Sequence, residues 1–367
     1  MSAKIENENA THFSHVDPDE FIRGETPVNI EEKCLKLCQS YIGSRWNDAQ
    51  LSDICVKRLS GGITNQLYRV QLLFNDIVDN NHKDDSMENQ FDVVVKLYQS
   101  KKLRSFHPED SERLNDNIIL TILSHLKLSP HVYGIFDEGN IQAYIKHQRF
   151  DVEHQQNSKL VSEIAVLLAK LHSLKLPIRK CFDWKLKQGG EMLEQVFQRD
   201  KTKQYFVENK LKNLIKYNIQ EEFKLMERII ENLNFPLVLC HNDFLGSNIM
   251  ITNSKIFLID LEFCTYGSRG NDIGLFHTQW GVSPNDFDNF GMPDDLVMEQ
   301  FIAQYREAFD KIDPGYLNRK ENCPKSILRE TKICLLYNFL FWTVFFLFEN
   351  ETIIKGLPFD RKRNYVS

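Results

Sequence analysis

The eight cysteines of this 367-residue chain include no C-x-x-C pair and no Cys/His cluster at zinc-ligand spacing. That absence argues against a zinc site and predicts buried, reduced thiols. Basic charge is equally scarce. The 45 Lys and Arg against 51 Asp and Glu leave a net charge of −6, without the positive field that duplex nucleic acid demands, so no nucleic-acid partner is expected. The most apolar stretch, Ile333–Phe348, is interrupted by Asn338 and Thr343 and falls short of the ~20 residues needed to span a bilayer. It predicts a buried or pocket-lining helix and no integral membrane segment. The N-terminal MSAKIENENATHF has no apolar run after a basic start, so a secretory signal is not expected and the chain is placed in the reducing cytosol. Internal repeats and long low-complexity segments are absent as well.

What is present is ample material for a core, 42% hydrophobic and 11% aromatic residues, enough for two packed lobes. Residues 1–25 are polar and without periodicity, which predicts a mobile leader. Thr26-Pro27 and the helical spacing of Ile30, Cys34, Leu37, Cys38 and Tyr41 predict a first helix ending near Trp46. Three β-like runs follow, 54–59, 64–74 and 91–98, the last two separated by an Asn/Asp-rich surface insertion. A helix over about 110–126 and a hairpin around Asp137–Asn140 complete a lobe rich in strands. From Ser158 the pattern turns helical, with predicted helices from Ser158, within 191–233, over 294–309 and over 326–349. The expected architecture is α+β: a leader (1–25), an N-terminal sheet lobe (26–146) and a larger, mainly helical lobe (147–367).

The chemistry concentrates in Leu237–Trp280, where two apolar runs, 237–240 and 256–259, each empty into polar residues. His241, Asp243 and Asn248, followed by Asp260 and Glu262, stand at a spacing close to the catalytic loop H-x-D-x-x-x-x-N and the metal-binding Asp of phosphoryl-transfer enzymes. In that pattern Asp243 accepts a hydroxyl proton, Asn248 and Asp260 offer oxygens to Mg²⁺, and Glu262 holds a second ion or a metal-bound water. His241 braces the loop. Asp272 anchors the loop through backbone N–H groups or through His241. Ahead of this region, Ser60-Gly61-Gly62-Ile63-Thr64-Asn65 makes a turn whose N–H groups suit nucleotide phosphates, and Lys96 on the third strand would reach the same phosphates. Glu112 and Asp116 are both placed to brace Lys96, and spacing alone does not choose between them.

With these residues laid out, the chain resembles the choline/ethanolamine kinase family, of the aminoglycoside phosphotransferase-like branch of the protein-kinase fold. The resemblance spans about residues 54–350 and rests on SGGITNQLYRV, LSPHVYGIF, VLCHNDFLGSNI and LIDLEFCTYGSRGNDIG with the following HTQW. It implies ATP and Mg²⁺ as cofactors, a small-molecule amino alcohol as acceptor, and a place in phospholipid synthesis. It leaves room for a homodimer. It makes Asp243 the catalytic base, Asn248 and Asp260 the Mg²⁺ ligands, and Glu262 a further acidic group. The family commonly has arginine at Lys96, Glu at Asp116 and Glu at Gln279, and tryptophans where Phe341 and Val344 align, with Trp342 between them. Gln279, Trp280, Phe341 and Trp342 are therefore the acceptor-side candidates. GGITN, VLCHND and GVSPNDF resemble ethanolamine kinases, whereas Trp280 and LHSLKLP resemble choline kinases. The balance favours ethanolamine, whose primary ammonium needs hydrogen-bond acceptors such as Gln279 could supply, whereas a trimethylammonium prefers an aromatic cage. A kinase-fold binding protein with little turnover, and a kinase acting on a sugar, an aminoglycoside or a protein, share the same core motif.

Overall fold

The computed structural model of the chain describes residues 25–59, 65–73, 90–99, 111–180, 184–198, 216–233, 235–282 and 293–348. The leader, most of the glycine turn (Ser60, Gly61, Gly62 and Thr64) and most of the Asn/Asp-rich insertion lie outside them. Helix α1 (Ile30–Tyr41) buries Ile30, Cys34, Leu35 and Cys38 on one stripe. It starts and stops inside the predicted limits. A turn in which Ile30 N–H donates to Pro27 O precedes it, and Gly43, at φ 67°, ends it in a left-handed conformation that glycine adopts without strain. A 3₁₀ turn over Ser44–Asp48 then drops Trp46 into the core, where its indole N–H donates to Gln90 O at 2.8 Å.

The first lobe is a five-stranded antiparallel sheet of order β1-β2-β3-β5-β4, with β1 Ile54–Leu59, β2 Gln66–Leu72, β3 Asp92–Leu97, β4 Val132–Phe136 and β5 Gly139–Ala143. Along β3 the period of two buries Val93, Val95 and Leu97. Lys96 therefore lies on the opposite face. Helix α2 (Leu114–His125) follows the sheet's third strand, yet its buried Ile119, Leu120 and Leu123 join the core of the second lobe, beside Leu239 and Phe244. The two lobes are stitched by that helix.

The second lobe contains β6 (Gln148–Arg149), short α3 (Val152–Gln155), α4 (Ser158–Ser173), α5 (Trp184–Gln198) and α6 (Ile219–Asn232). Its later elements are β7 (Leu237–Cys240), β8 (Ile249–Ile251), β9 (Ile256–Leu258), β10 (Thr265–Ser268), α7 (Arg269–His277), α8 (Asp295–Ile312) and α9 (Pro324–Phe348). The cap of α4 is Asn157, whose side chain accepts from Leu160 N–H at 3.1 Å, and Ser158 is already helical. The two apolar runs seen in the sequence do not pair with each other. β7 pairs with β10, and β9 pairs with β8, which also pairs with β6. Strands β8 and β10, at three and four residues, were too short for a periodic signal. Helix α9 is the apolar segment; no helix among the described residues is long and apolar enough to cross a membrane. It packs tightly on α7, because a Cβ at Gly270 or Gly274 would lie 2.7 Å from the Glu330 backbone or the Leu335 side chain.

Burial also sets a pH-sensitive contribution to stability. His277 ends α7 with Nδ1 2.7 Å from Ile273 O and its ring stacked on Trp280 at 5.4 Å. Burial pushes its pKa down to about 4. Its unfolded value is ~6.5, so the neutral ring's contribution is complete above that pH and is lost as pH falls towards 4. His277→Phe should remove about 3 kcal/mol of that acid destabilisation, read as a smaller drop in urea midpoint between about pH 7 and about pH 4.

Candidate active site

Strand β7 runs into the loop His241-Asn242-Asp243, and the loop is held from behind by one carboxylate. Asp272, in the first turn of α7 and 0% exposed, accepts from His241 N–H at 2.6 Å and from Asn242 N–H at 2.8 Å. His172 on α4 completes the clasp with Nε2 3.0 Å from Asp272 Oδ2. Burial opposes ionisation of Asp272, but the bonds from His172 and His241 outweigh it and hold its pKa below the usual carboxylate value. The His241 ring, fully buried, reaches Ile259 O at 2.9 Å and so ties this loop to the end of β9. It is the loop's backbone N–H, and not the ring, that meets Asp272.

Asp243 emerges from this frame half-buried. Asn248 Nδ2 donates to its carboxylate at 2.8 Å and to its carbonyl at 2.9 Å. Those bonds commit the Asn248 NH₂ to Asp243, so the amide oxygen is the atom it could offer to a metal. Burial raises the Asp243 pKa, and the neighbouring Asp260 raises it further. Both Asn242 (φ 64°) and Asp260 (φ 58°) are non-glycine residues in the left-handed region. Such strain persists only where the surroundings enforce it, and it clusters at functional sites.

Asp260, after β9, faces the sheet lobe. Lys96 Nζ stands 3.2 Å from its Oδ1. Burial works against the Lys96 charge, but the Asp260 and Glu262 carboxylates outweigh it and raise the lysine's pKa. The acidic partner expected for Lys96 from α2 serves a different cation. Asp116 receives Arg113 at 3.0 Å, and Glu112 lies 3.7 Å from the same guanidinium. The turn before α2 puts Arg113 in this position, a placement for which the sequence carries no motif. Arg113 also meets Glu262 Oε2 at 3.5 Å, donates to Asn65 Oδ1 at 3.4 Å and to Gln99 O, and lies over the Tyr98 ring at 4.4 Å. Asn65, the described end of the glycine turn, donates to Glu262 Oε2 at 3.3 Å. Lys96, Arg113, Asp116, Asp260 and Glu262 line one cleft between the lobes.

Asp243, Asn248, Asp260, Glu262 and Lys96 are thus assembled at one place, with His241 and Asp272 behind them. The acceptor-side candidates fall into two groups. Trp280 packs on Phe276 and His277 in the large core, and Gln279 O accepts from Gln155 at 2.9 Å. Phe341 and Trp342 belong to a separate aromatic cluster with Trp184, whose ring stacks on Phe263 at 6.0 Å. Phe341 is 0% exposed. Residues missed from the sequence include His172, Arg113, Asn271 and Lys185. His172 has a faint signal, as the only ionisable group facing inward at the end of the α4 apolar stripe.

Comparison with known proteins agrees with this geometry. The human choline/ethanolamine kinase is 26% identical over 257 residues, covering 69% of this chain and 61% of that protein, so less than two thirds of the relative's length is matched. Probable ethanolamine kinase A of Dictyostelium discoideum is 27% identical over 281 residues, 75% of this chain and 74% of the relative. In three dimensions the ethanolamine kinase of Plasmodium vivax superposes with a TM-score of 0.65 at 20% identity, covering 93% of this chain and 87% of that one, which establishes the two-lobed, protein-kinase-like α+β fold. The choline/ethanolamine kinase family model matches residues 56–364. A match of that extent includes every residue of the cleft, and the chain belongs to the choline/ethanolamine kinase family.

Proposed function

We propose that this chain is an ATP-dependent kinase that phosphorylates the hydroxyl of a small amino alcohol, ethanolamine in preference to choline, giving phosphoethanolamine for phospholipid synthesis. The observation that carries the reading is the Asp243–Asn248 pair, 2.8 Å apart, together with the Lys96–Asp260 pair at 3.2 Å. One pair suits the attacking hydroxyl and the other the phosphate chain. Asp243 orients the hydroxyl and takes its proton as the oxygen attacks the γ-phosphorus; the bond to the β-phosphate oxygen breaks and its electrons leave with ADP. Lys96 holds the phosphates.

The donor set fits Mg²⁺: an amide oxygen from Asn248 and carboxylates from Asp260 and Glu262 are hard oxygen ligands. When bound there, the ion would neutralise phosphate charge. Support for ethanolamine comes from the Dictyostelium relative's name and from Gln279, whose buried Oε1 accepts no hydrogen bond from any described residue. A primary ammonium supplies such N–H donors and a trimethylammonium does not. The test is ATP- and Mg²⁺-dependent ADP release against ethanolamine, choline, methylated ethanolamines, aminoglycosides and no acceptor. Stimulation strongest with ethanolamine is expected. No stimulation by any amino alcohol would overturn the proposal.

A further inference from the structure

Lys185, at the start of α5, takes part in none of the steps above, yet it is one of the few lysines enclosed by the protein. It is 5% exposed, and its Nζ donates to Asn338 Oδ1 on α9 at 2.9 Å and to Asn271 Oδ1 on α7 at 3.2 Å. The same nitrogen lies 5.5 Å from the Trp184 ring centroid and 5.8 Å from that of Phe341. Burial brings its pKa down to about 8, against the attraction of the Asp272 and Asp243 carboxylates. At neutral pH most of it is still the cation.

The surroundings matter for an amino-alcohol kinase. Asn271 Nδ2 bonds Asn242 Oδ1 at 3.0 Å, and Asn242 Nδ2 bonds Phe263 O at 2.9 Å, so the amides that hold Lys185 are continuous with the Asp243 loop. Two aromatic faces, amide oxygens and nearby carboxylates form the kind of surface that draws an organic cation out of water. Here the chain's own alkylammonium stands against it. Phe341, a ring expected to receive the acceptor, has the Lys185 ammonium 5.8 Å from its centroid.

We propose that Lys185 is a specificity-determining residue: its ammonium occupies the Trp184–Phe341 shelf beside the Asp243 loop and shuts out a trimethylammonium head, leaving the site to alcohols with a small primary ammonium. The proposal rests on the amino-alcohol kinase reading above. A quaternary ammonium has no N–H and relies on aromatic faces to offset its desolvation. With the shelf filled by a fixed like charge, it loses that attraction and meets repulsion. A primary ammonium binds through acceptor oxygens instead, and is less affected.

The experiment compares kcat/KM for choline and ethanolamine in the wild-type chain and in Lys185→Ala and Lys185→Arg. Lys185→Ala should raise the choline-to-ethanolamine ratio by about tenfold or more, chiefly through a lower KM for choline, while Lys185→Arg keeps the wild-type preference. Tetramethylammonium supplies a probe that does not depend on the variants folding. It should fail to compete with ethanolamine in the wild type and should become a competitive inhibitor of Lys185→Ala. An unchanged ratio in folded Lys185→Ala, or competition by tetramethylammonium at ethanolamine-like concentrations in the wild type, would overturn the inference. Absence of ADP release with either alcohol in the wild type would instead sink the kinase reading.

Discussion

Asp243→Asn should lower kcat by about 10²- to 10⁴-fold while leaving the fold intact. The substitution keeps size and planarity, and the new amide retains an oxygen to accept from Asn248 Nδ2, which now donates to the carboxylate at 2.8 Å. What disappears is the basic oxygen that receives the hydroxyl proton. KM for ATP should change little, since the Lys96–Asp260 contact at 3.2 Å is left intact. The measurement is steady-state ADP release beside a thermal melt. Near-normal turnover in a protein with an unchanged melt would exclude Asp243 as the base.

The second large effect is structural and lies one layer behind the first. Asp272→Ala removes a fully buried carboxylate that receives two backbone N–H groups and the His172 ring. Each of those donors would be left buried without its acceptor. Each buried donor left without an acceptor costs about 1–3 kcal/mol, so the three together cost several kcal/mol. Urea unfolding should register a loss of that order, and turnover should fall in whatever fraction stays folded, because Asn242 at φ 64° relies on the clasp. A loss below about 1 kcal/mol would mean that the loop holds its shape by other contacts.

The loop of the candidate site was legible in the sequence because its parts are local. Asp243 and Asn248 lie five residues apart and bond to each other directly, so a single loop presents both. Asp260 and Glu262 follow a strand by the same logic. The helical stripes of α4 and α8 and the alternation along β3 were legible too, since a period of 3.6 or 2 is a property of the chain itself.

Arg113 was not legible. Its partner Glu262 is 149 residues away, and Asn65 is 48 away in the other direction. Nothing in the spacing of either pair encodes their meeting. The same holds for His172 and Asp272, 100 residues apart, and for Lys185 and Asn338, 153 apart. The acidic brace predicted for Lys96 failed for this reason. Glu112 and Asp116 were the two candidates, and that Lys96 meets Asp260 instead depends on how α2 sits against the second lobe, whose core takes its Ile119, Leu120 and Leu123.

By itself, then, the sequence determined the α+β elements, the family, and the set of groups from Asp243 to Glu262. Their spacing along the chain is a short-range property that survives any packing. Only the tertiary structure decided which cation meets which carboxylate, that Trp280 and Phe341 lie in different clusters, and that Lys185 reaches the aromatic shelf. Those outcomes turn on buried charges finding partners from distant elements. In a low-dielectric interior such pairing is too costly to leave unmade, but a linear sequence does not say where the partners will be.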